Sequence, residues 1–499
     1  AEGREIPPVT MRFREVRARD RRLYNTPTNR EEIAAVIVGE EGNAQINHDL
    51  CIRDRGRGMR NISIIHPHSD PLLYPLLFPR GEMGYRPHIL HRPKPGKATR
   101  NVTLREYAAF YAVQRATFCP TLMAGLLTQQ YLIDAWVKVE SSNLNYIRNH
   151  QNVLRSETVR GIQDQIAQQV PEAAIGRMVV LPPSHTGGPR YMQKQYQDAM
   201  AIQRRFGPPD GFQTVTVDPK CIEIQAELNK HQWLQPDGTL RPYLTAVDRP
   251  DIVVRVAKMY FNAIFDDLFK RGVLGQVVSY IWVAEWQKRG LPHVHILFTL
   301  ADEDKVRSVE MLDNMISAEI PDPDEDPQLY ELVKSYMVHG PCGALNPNAP
   351  CMVNNRCSKK YPRDFRDTTE LDVTGYPLYR RRNNGRTVTV RGHTLDNRWI
   401  VPYNPYFERK FGGHINLEHC ATLGAVKYVY KYVYKGNTRI SLEVRQQLEN
   451  PENPVVHDEI ETHIQGRYVT APEAAWRIFE FPMTGRSHAV EGLDVDLPE

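Results

Sequence analysis

Apolar and polar positions alternate most clearly over residues 277–300. The run Val277–Trp286 is apolar, β-branched and aromatic; Lys288-Arg289-Gly290 and Pro292 follow, and a second apolar run ends at Leu300. That pattern predicts a β-hairpin. Strand period places His293, His295, Leu297 and Thr299 on one face and Val294, Ile296, Phe298 and Leu300 on the other. Two imidazoles thus project side by side from a strand anchored by its opposite, apolar face. A hairpin symmetric about Gly290 sets Glu285 opposite His295 and Gln287 opposite His293, and directly opposed residues share a face.

Period and capping predict helices over 103–116, where Thr103 and Glu106 form a capping box, and over 126–147, 191–206, 250–270 and 471–481, with a further helical stretch at 163–169. Strands are expected at 62–65, at 212–218 (ended by Asp218-Pro219) and near 414–417. Residues 302–335 read as acidic and helical, interrupted by a proline-rich stretch at 321–327, and 72–79 reads as a buried, proline-punctuated loop. Residues 379–385 followed by 387–391 read as a hairpin with a basic tip carrying Arg380 and Arg381.

The stretch Ala425-Val-Lys-Tyr428-Val-Tyr430-Lys-Tyr432-Val-Tyr434-Lys-Gly436 has two readings. Its strict alternation fits a strand. As a helix of about 100° per residue, Val426, Val429, Tyr430 and Val433 form one apolar arc, with Gly436 as the stop. Lys427, Lys431, Lys435, Tyr428 and Tyr432 then share the opposite arc, with the two tyrosines one turn apart beside a lysine stripe.

Two imidazoles and a carboxylate make a divalent-cation site with open positions, although His-x-His alone also fits plain strand alternation. His339, Cys342, Cys351 and Cys357 lie in a Pro/Asn-rich loop too polar to build its own core. Four such soft ligands point to a structural zinc; their spacing departs from the usual C-x2-C, and unligated thiols are the alternative. In Ser184-His-Thr-Gly-Gly-Pro-Arg-Tyr191, Gly187 and Gly188 let backbone N–H groups approach a phosphate, or simply make the turn before a helix.

At 499 residues the chain calls for two or three domains. No apolar run is long enough to cross a membrane, and the N-terminus lacks a signal-peptide pattern. Seven cysteines fit a reducing compartment with metal-binding thiols better than a disulfide framework. The net charge of +4 says little, but basic residues cluster at 11–22, 53–60, 92–100 and 379–391, which suits phosphate contacts as well as solvated loops.

A histidine–hydrophobic–histidine strand followed by two tyrosines three residues apart resembles the signature of two-tyrosine HUH endonucleases. Three stretches narrow the likeness: His66-Pro-His-Ser-Asp-Pro-Leu-Leu-Tyr-Pro-Leu-Leu-Phe-Pro-Arg-Gly81, Leu181-Pro-Pro-Ser-His-Thr-Gly-Gly-Pro-Arg-Tyr-Met192 and Lys427-Tyr-Val-Tyr-Lys-Tyr-Val-Tyr-Lys-Gly436. Together, over roughly residues 65–439, they are similar to the Rep region of Helitron transposases. The resemblance implies an α+β fold: an HUH/Rep nuclease with a central antiparallel sheet flanked by helices, plus a mainly helical N-terminal domain. The expected division is a basic, partly ordered lead-in at 1–60, a DNA-contacting domain at 61–205, the nuclease at 206–440 with a zinc-binding insertion near 339–357, and a C-terminal segment at 441–499. The strand at 212–219 looks like the first motif of rolling-circle initiators, beside the metal strand, although relatives more often have Asn where Asp218 stands.

The implied activity is metal-dependent nicking and strand transfer of single-stranded DNA, at transposon end and target, through a 5′-phosphotyrosine. Tyr428 or Tyr432 is the nucleophile, assisted by Lys431, and Mg²⁺ or Mn²⁺ is held by His293, His295 and Glu285, with Gln287 as an alternative third ligand. Expected DNA contacts are Arg190, Thr214, Thr216, Lys427, Lys435, Arg380 and Arg381, and the expected location is the nucleus. A helicase follows the Rep region in Helitron proteins; no G-x-x-x-x-G-K-[ST] loop occurs here, so it is expected outside this chain. Alternatives are an inactive zinc-stabilised single-stranded-DNA-binding module and a plasmid or viral replication initiator. A histidine-triad hydrolase is excluded because Leu297 stands where a third histidine is needed.

Overall fold

A computed structural model describes residues 10–13, 33–36, 49–54, 58–93, 95–96, 98–151, 179–230, 232–234, 240–242, 244–286, 290–371, 376–420, 442–445, 459–464 and 467–491. The tyrosine stretch at 425–436, Gln287 and the predicted helix at 163–169 lie outside these residues.

The architecture is α+β. Among the described residues a five-stranded sheet forms the centre, in the order His414–His419, Gly211–Thr216, Pro292–Leu300, Val277–Trp286, Thr484–Arg486. Every neighbouring pair is antiparallel. The histidine strand Pro292–Leu300 is the middle strand and is buried at every position, because both of its faces are covered. On one face Val215, Val294, Ile296, Phe298, Leu300, Ile415 and Leu417 join a core with residues of the helices Leu126–Asn149, Pro250–Phe265 and Ala471–Ile478. The last of these helices packs on both of the others. On the other face Phe212, Leu297, Ile281 and Val283 meet Tyr196, Ala199 and Met200 of the helix Pro189–Phe206. That helix is tied down by Tyr191 Oη to Thr484 Oγ1 at 3.1 Å, an Asp198–Arg486 ion pair and the stacking of Phe206 on His488.

The predicted helices appear with shifted ends. The one capped by Thr103 has both arms of its box, Glu106 N–H to Thr103 Oγ1 at 3.1 Å and Thr103 N–H to Glu106 Oε2 at 2.9 Å. It stops at Tyr111 rather than 116, where the Thr121 hydroxyl donates to the Tyr111 carbonyl. Helix Pro250–Phe265 ends in a π turn, Asp266–Lys270. The lead-in holds more strand than expected: Leu50–Asp54 pairs with Gly58–Ile62, so the strand predicted at 62–65 lies earlier. Residues 69–78 give a short helix, Ser69–Leu73, then turns that bury Tyr74, Leu77 and Phe78.

Two expectations are corrected. The central hairpin sets Glu285 opposite His293 and Val283 opposite His295, because Trp286 pairs with Pro292 and the pairing is centred on Arg289 rather than Gly290. A shift of two residues keeps Glu285 on the histidine face. The hairpin expected at 379–391 is instead Thr387–Val390 with His393–Asp396, turning at Arg391 and Gly392, both at positive φ. Arg381 is not at its tip. It is buried, and its Nη1 donates to the carbonyls of Ala318, Asn397 and Ile400 at 3.2, 2.6 and 2.7 Å, so it ties loops together and is not available to DNA.

Replacing Arg381 with Met leaves those buried carbonyls without their donor. The expected loss is about 2–4 kcal/mol of stability, read as a lower urea midpoint; an unchanged midpoint would contradict the role assigned to Arg381.

Candidate functional site

The site face of the sheet is built by alternation. Along Pro292–Leu300 the apolar residues point to the core, which leaves His293 and His295 on the opposite face, buried, with ring centroids 4.4 Å apart. The neighbouring strand Gly211–Thr216 pairs Thr216 with His293 and Thr214 with His295. Opposed residues share a face, so each threonine hydroxyl meets an imidazole: Thr216 Oγ1 lies 2.6 Å from His293 Nδ1 and Thr214 Oγ1 lies 2.9 Å from His295 Nδ1. Phe212 continues the row and stacks on His295 at 15°. From the other side Glu285 reaches diagonally to His295, with Oε1 2.8 Å from Nε2. One donor atom each from Glu285, His293 and His295 lie within 4.8 Å of one another.

This donor set fits a divalent cation. A histidine ligand commonly uses its second nitrogen for a hydrogen bond that fixes its tautomer and orientation. Here both Nδ1 atoms lie against threonine hydroxyls, so coordination would fall to the Nε2 atoms. The 2.8 Å contact between His295 Nε2 and the Glu285 carboxylate brings two of the three donor atoms together. Glu285 is half-buried, so the group opens towards solvent on its own side.

Thr214 and Thr216 were expected to touch DNA or to fill β positions; their hydroxyls lie against the two imidazoles. The spacing Thr-x-Thr does mirror His-x-His, but the pairing between strands so far apart in sequence makes the connection. The other expected residues are scattered. Arg190, in the first turn of Pro189–Phe206, is paired with Glu459 at 3.3 Å. Arg380 meets Asp313 at 3.2 Å and Glu319 at 3.6 Å. Asp218, just past the threonine strand, accepts from the Tyr336 hydroxyl at 2.6 Å. Tyr428, Tyr432, Lys427, Lys431, Lys435 and Gln287 lie outside the described residues.

A family model described as the Helitron helicase-like domain at N-terminus matches residues 107–298. The chain is Helitron-related. No curated protein matches it. The Helitron-like region takes in the threonine strand, Glu285, His293 and His295, and ends before the cysteine loop. No described helix is long and apolar enough to cross a membrane.

Beyond the Helitron-like region, the cysteine loop does converge. His339, Cys342, Cys351 and Cys357 bring their donor atoms within 4.8 Å of one another, with Cys357 Sγ 3.5 Å from His339 Nε2. A tight turn makes this possible: Met352–Val353 pairs with Arg356–Cys357, and Asn354 and Asn355 take positive φ between them. Burial, with the crowding of Cys351 and Cys357, pushes the Cys342 thiol up to about 12. Burial, with Lys359, Arg363 and His414 nearby, pushes His339 down to about 4, leaving a neutral nitrogen donor at neutral pH. Three crowded thiols and a neutral imidazole fit a thiophilic metal ion.

Two measurements check these centres. Thr216→Val keeps size and removes the hydroxyl, and should weaken Mn²⁺ binding to the Glu285–His293–His295 group about 10–100-fold by calorimetry; unchanged affinity would mean the threonine only fills space. Cys351→Ser should lose one equivalent of tightly held metal by elemental analysis and melt at a lower temperature, whereas retained metal would remove the cysteine loop as a centre.

Proposed function

We propose that this chain is a Helitron-type transposase endonuclease of the two-tyrosine HUH/Rep kind, which nicks single-stranded DNA and transfers the strand through a 5′-phosphotyrosine. The observation that carries the reading is the grouping of Glu285, His293 and His295 on the middle of an antiparallel sheet, inside the Helitron-like region. In this reading residues 206–440 form the nuclease, with zinc in the cysteine loop, after a lead-in at 1–60 and a DNA-contacting domain at 61–205. The segment 441–499 leads towards a helicase, and the protein acts in the nucleus.

Neutral His293 and His295, steadied by Thr216 and Thr214, hold the cation together with Glu285. When bound, Mg²⁺ or Mn²⁺ polarises the scissile phosphate and orients it for in-line displacement. Tyr428 or Tyr432 supplies the nucleophile. Its phenolic oxygen bonds to phosphorus, the bond from phosphorus to the 3′-oxygen breaks, and the phenolic proton ends on the departing 3′-oxygen. The protein keeps the 5′-phosphate as a tyrosine ester, so the 3′-hydroxyl of another strand can reverse the step without further energy input. Lys431, with Lys427 and Lys435, lowers the phenol pKa and offsets charge on the phosphate. Two tyrosines allow two strands to be held in turn.

The test is incubation with 5′- and 3′-labelled single-stranded oligonucleotides and Mn²⁺, followed by a denaturing gel and peptide mass spectrometry. The fragment 3′ of the nick should be attached to Tyr428 or Tyr432, and His293→Ala should lower nicking by on the order of 10²–10³-fold. Binding without cleavage across varied sequences and metals would instead favour a DNA-binding module.

A further inference from the structure

A second histidine–carboxylate group lies apart in sequence from the one on the sheet. Glu140 is on the helix Leu126–Asn149, His185 is in the Gly-Pro turn before Pro189–Phe206, and His463 is on the helix Glu459–Ile464. One donor atom from each lies within 4.8 Å of the others. The two Nε2 atoms face each other at 3.4 Å, and His463 Nε2 is 3.6 Å from Glu140 Oε1. A separation of 3.4 Å is long for a hydrogen bond between rings. It is the span of two ligands on one tetrahedral ion, since two metal–nitrogen bonds of about 2.0–2.1 Å at that angle separate the nitrogens by roughly 3.3–3.4 Å. Glu140 also keeps a second oxygen, Oε2, buried and without a hydrogen-bond partner among the described residues.

The surrounding charges decide which ion the group suits. Arg467 pairs with Glu140 through Oε1 and with Glu473, its Nη1 lies 3.5 Å from His463 Nε2, and Arg477 pairs with Glu473 at 3.4 Å, so Oε2 is the Glu140 oxygen turned to the ion. These two carboxylates and two guanidinia cancel, so no excess negative charge is left to attract a hard, oxygen-seeking ion. What remains is nitrogen donation. Neutral imidazoles favour borderline transition ions over Mg²⁺ or Ca²⁺. Glu140 and His463 are buried while His185 is half-buried, so the group is reached from the His185 side.

We infer that Glu140, His185 and His463 form a further binding site for a borderline transition-metal dication of the zinc and cobalt class, fastening three distant segments of the chain to one another. The same junction is already drawn together by the Glu459 carboxylate, which accepts from Leu181 N–H at 2.8 Å and pairs with Arg190. The ion completes that clasp and takes no part in cleavage.

The experiment compares the full chain with His185→Ala and His185→Gln, each stripped with chelator and then loaded with Zn²⁺ or Co²⁺ in the presence of excess Mg²⁺. Each variant should bind one equivalent less than the parent by elemental analysis. The thiolate-to-cobalt absorption of the cysteine loop should persist in both, and the zinc-induced rise in melting temperature should shrink. His185→Asp, which restores an oxygen ligand, should recover the equivalent. His185→Gln preserves size and hydrogen bonding, so it reports on the ion even if the alanine variant does not fold. Equal metal content in the parent and His185→Gln, with an equal zinc-induced rise in melting temperature, would overturn the site and reduce the group to a packed pair of imidazoles.

Discussion

Two hydroxyl–imidazole hydrogen bonds, Thr216 to His293 and Thr214 to His295, are the constraint on which the site depends. They exist only if Gly211–Thr216 and Pro292–Leu300 pair in one register, since a slip of a single residue would send every side chain to the opposite face. The core side of the same strands enforces that register. Val215, Val294, Ile296 and Phe298 belong to one buried cluster, and the Phe298 ring lies over Gly211, where any Cβ would overlap it. Apolar burial on one face therefore positions the two imidazoles on the other.

The elements around the sheet reinforce this arrangement from both sides. Helix Pro189–Phe206 seals the histidine face beyond His295 through Ala199, Tyr196 and Met200 against Phe212 and Leu297. The segment around the cysteine loop is tied in by backbone contacts: His339 N–H donates to Trp399 O, and His414 Nδ1 on the edge strand lies 3.0 Å from Tyr336 O, just before the loop. The Tyr336 hydroxyl then reaches Asp218, two residues past Thr216. A metal in the cysteine loop would thus stiffen the chain close to Tyr336, which is hydrogen-bonded to the edge strand at His414 and to Asp218 just past the threonine strand.

Local chemistry was legible in the sequence, and long-range pairing was not. His-x-His on an alternating strand, the Thr103–Glu106 box and the closeness of His339 to three cysteines all follow from short spacings. The threonines' role did not follow, because Thr214 and His295 meet across 81 residues through a pairing that no turn links. The register of the central hairpin was misjudged by two positions because the pairing is centred one residue before Gly290, and moving the centre by one residue moves each partner by two. Arg381 looked like a DNA contact because residue type reports charge and not burial. His185, read as part of a phosphate loop, meets His463 at a separation of 278 residues, beyond the reach of any motif.

The central claim is that Glu285, His293 and His295 make one divalent-cation centre, and electron spin-echo spectroscopy of bound Mn²⁺ tests it most directly. Nitrogen modulation from two imidazoles should be present in the parent chain, halved by His293→Ala and abolished when His295→Ala is added. Mn²⁺ bound with no nitrogen modulation, or with modulation unchanged in the double variant, would contradict the account.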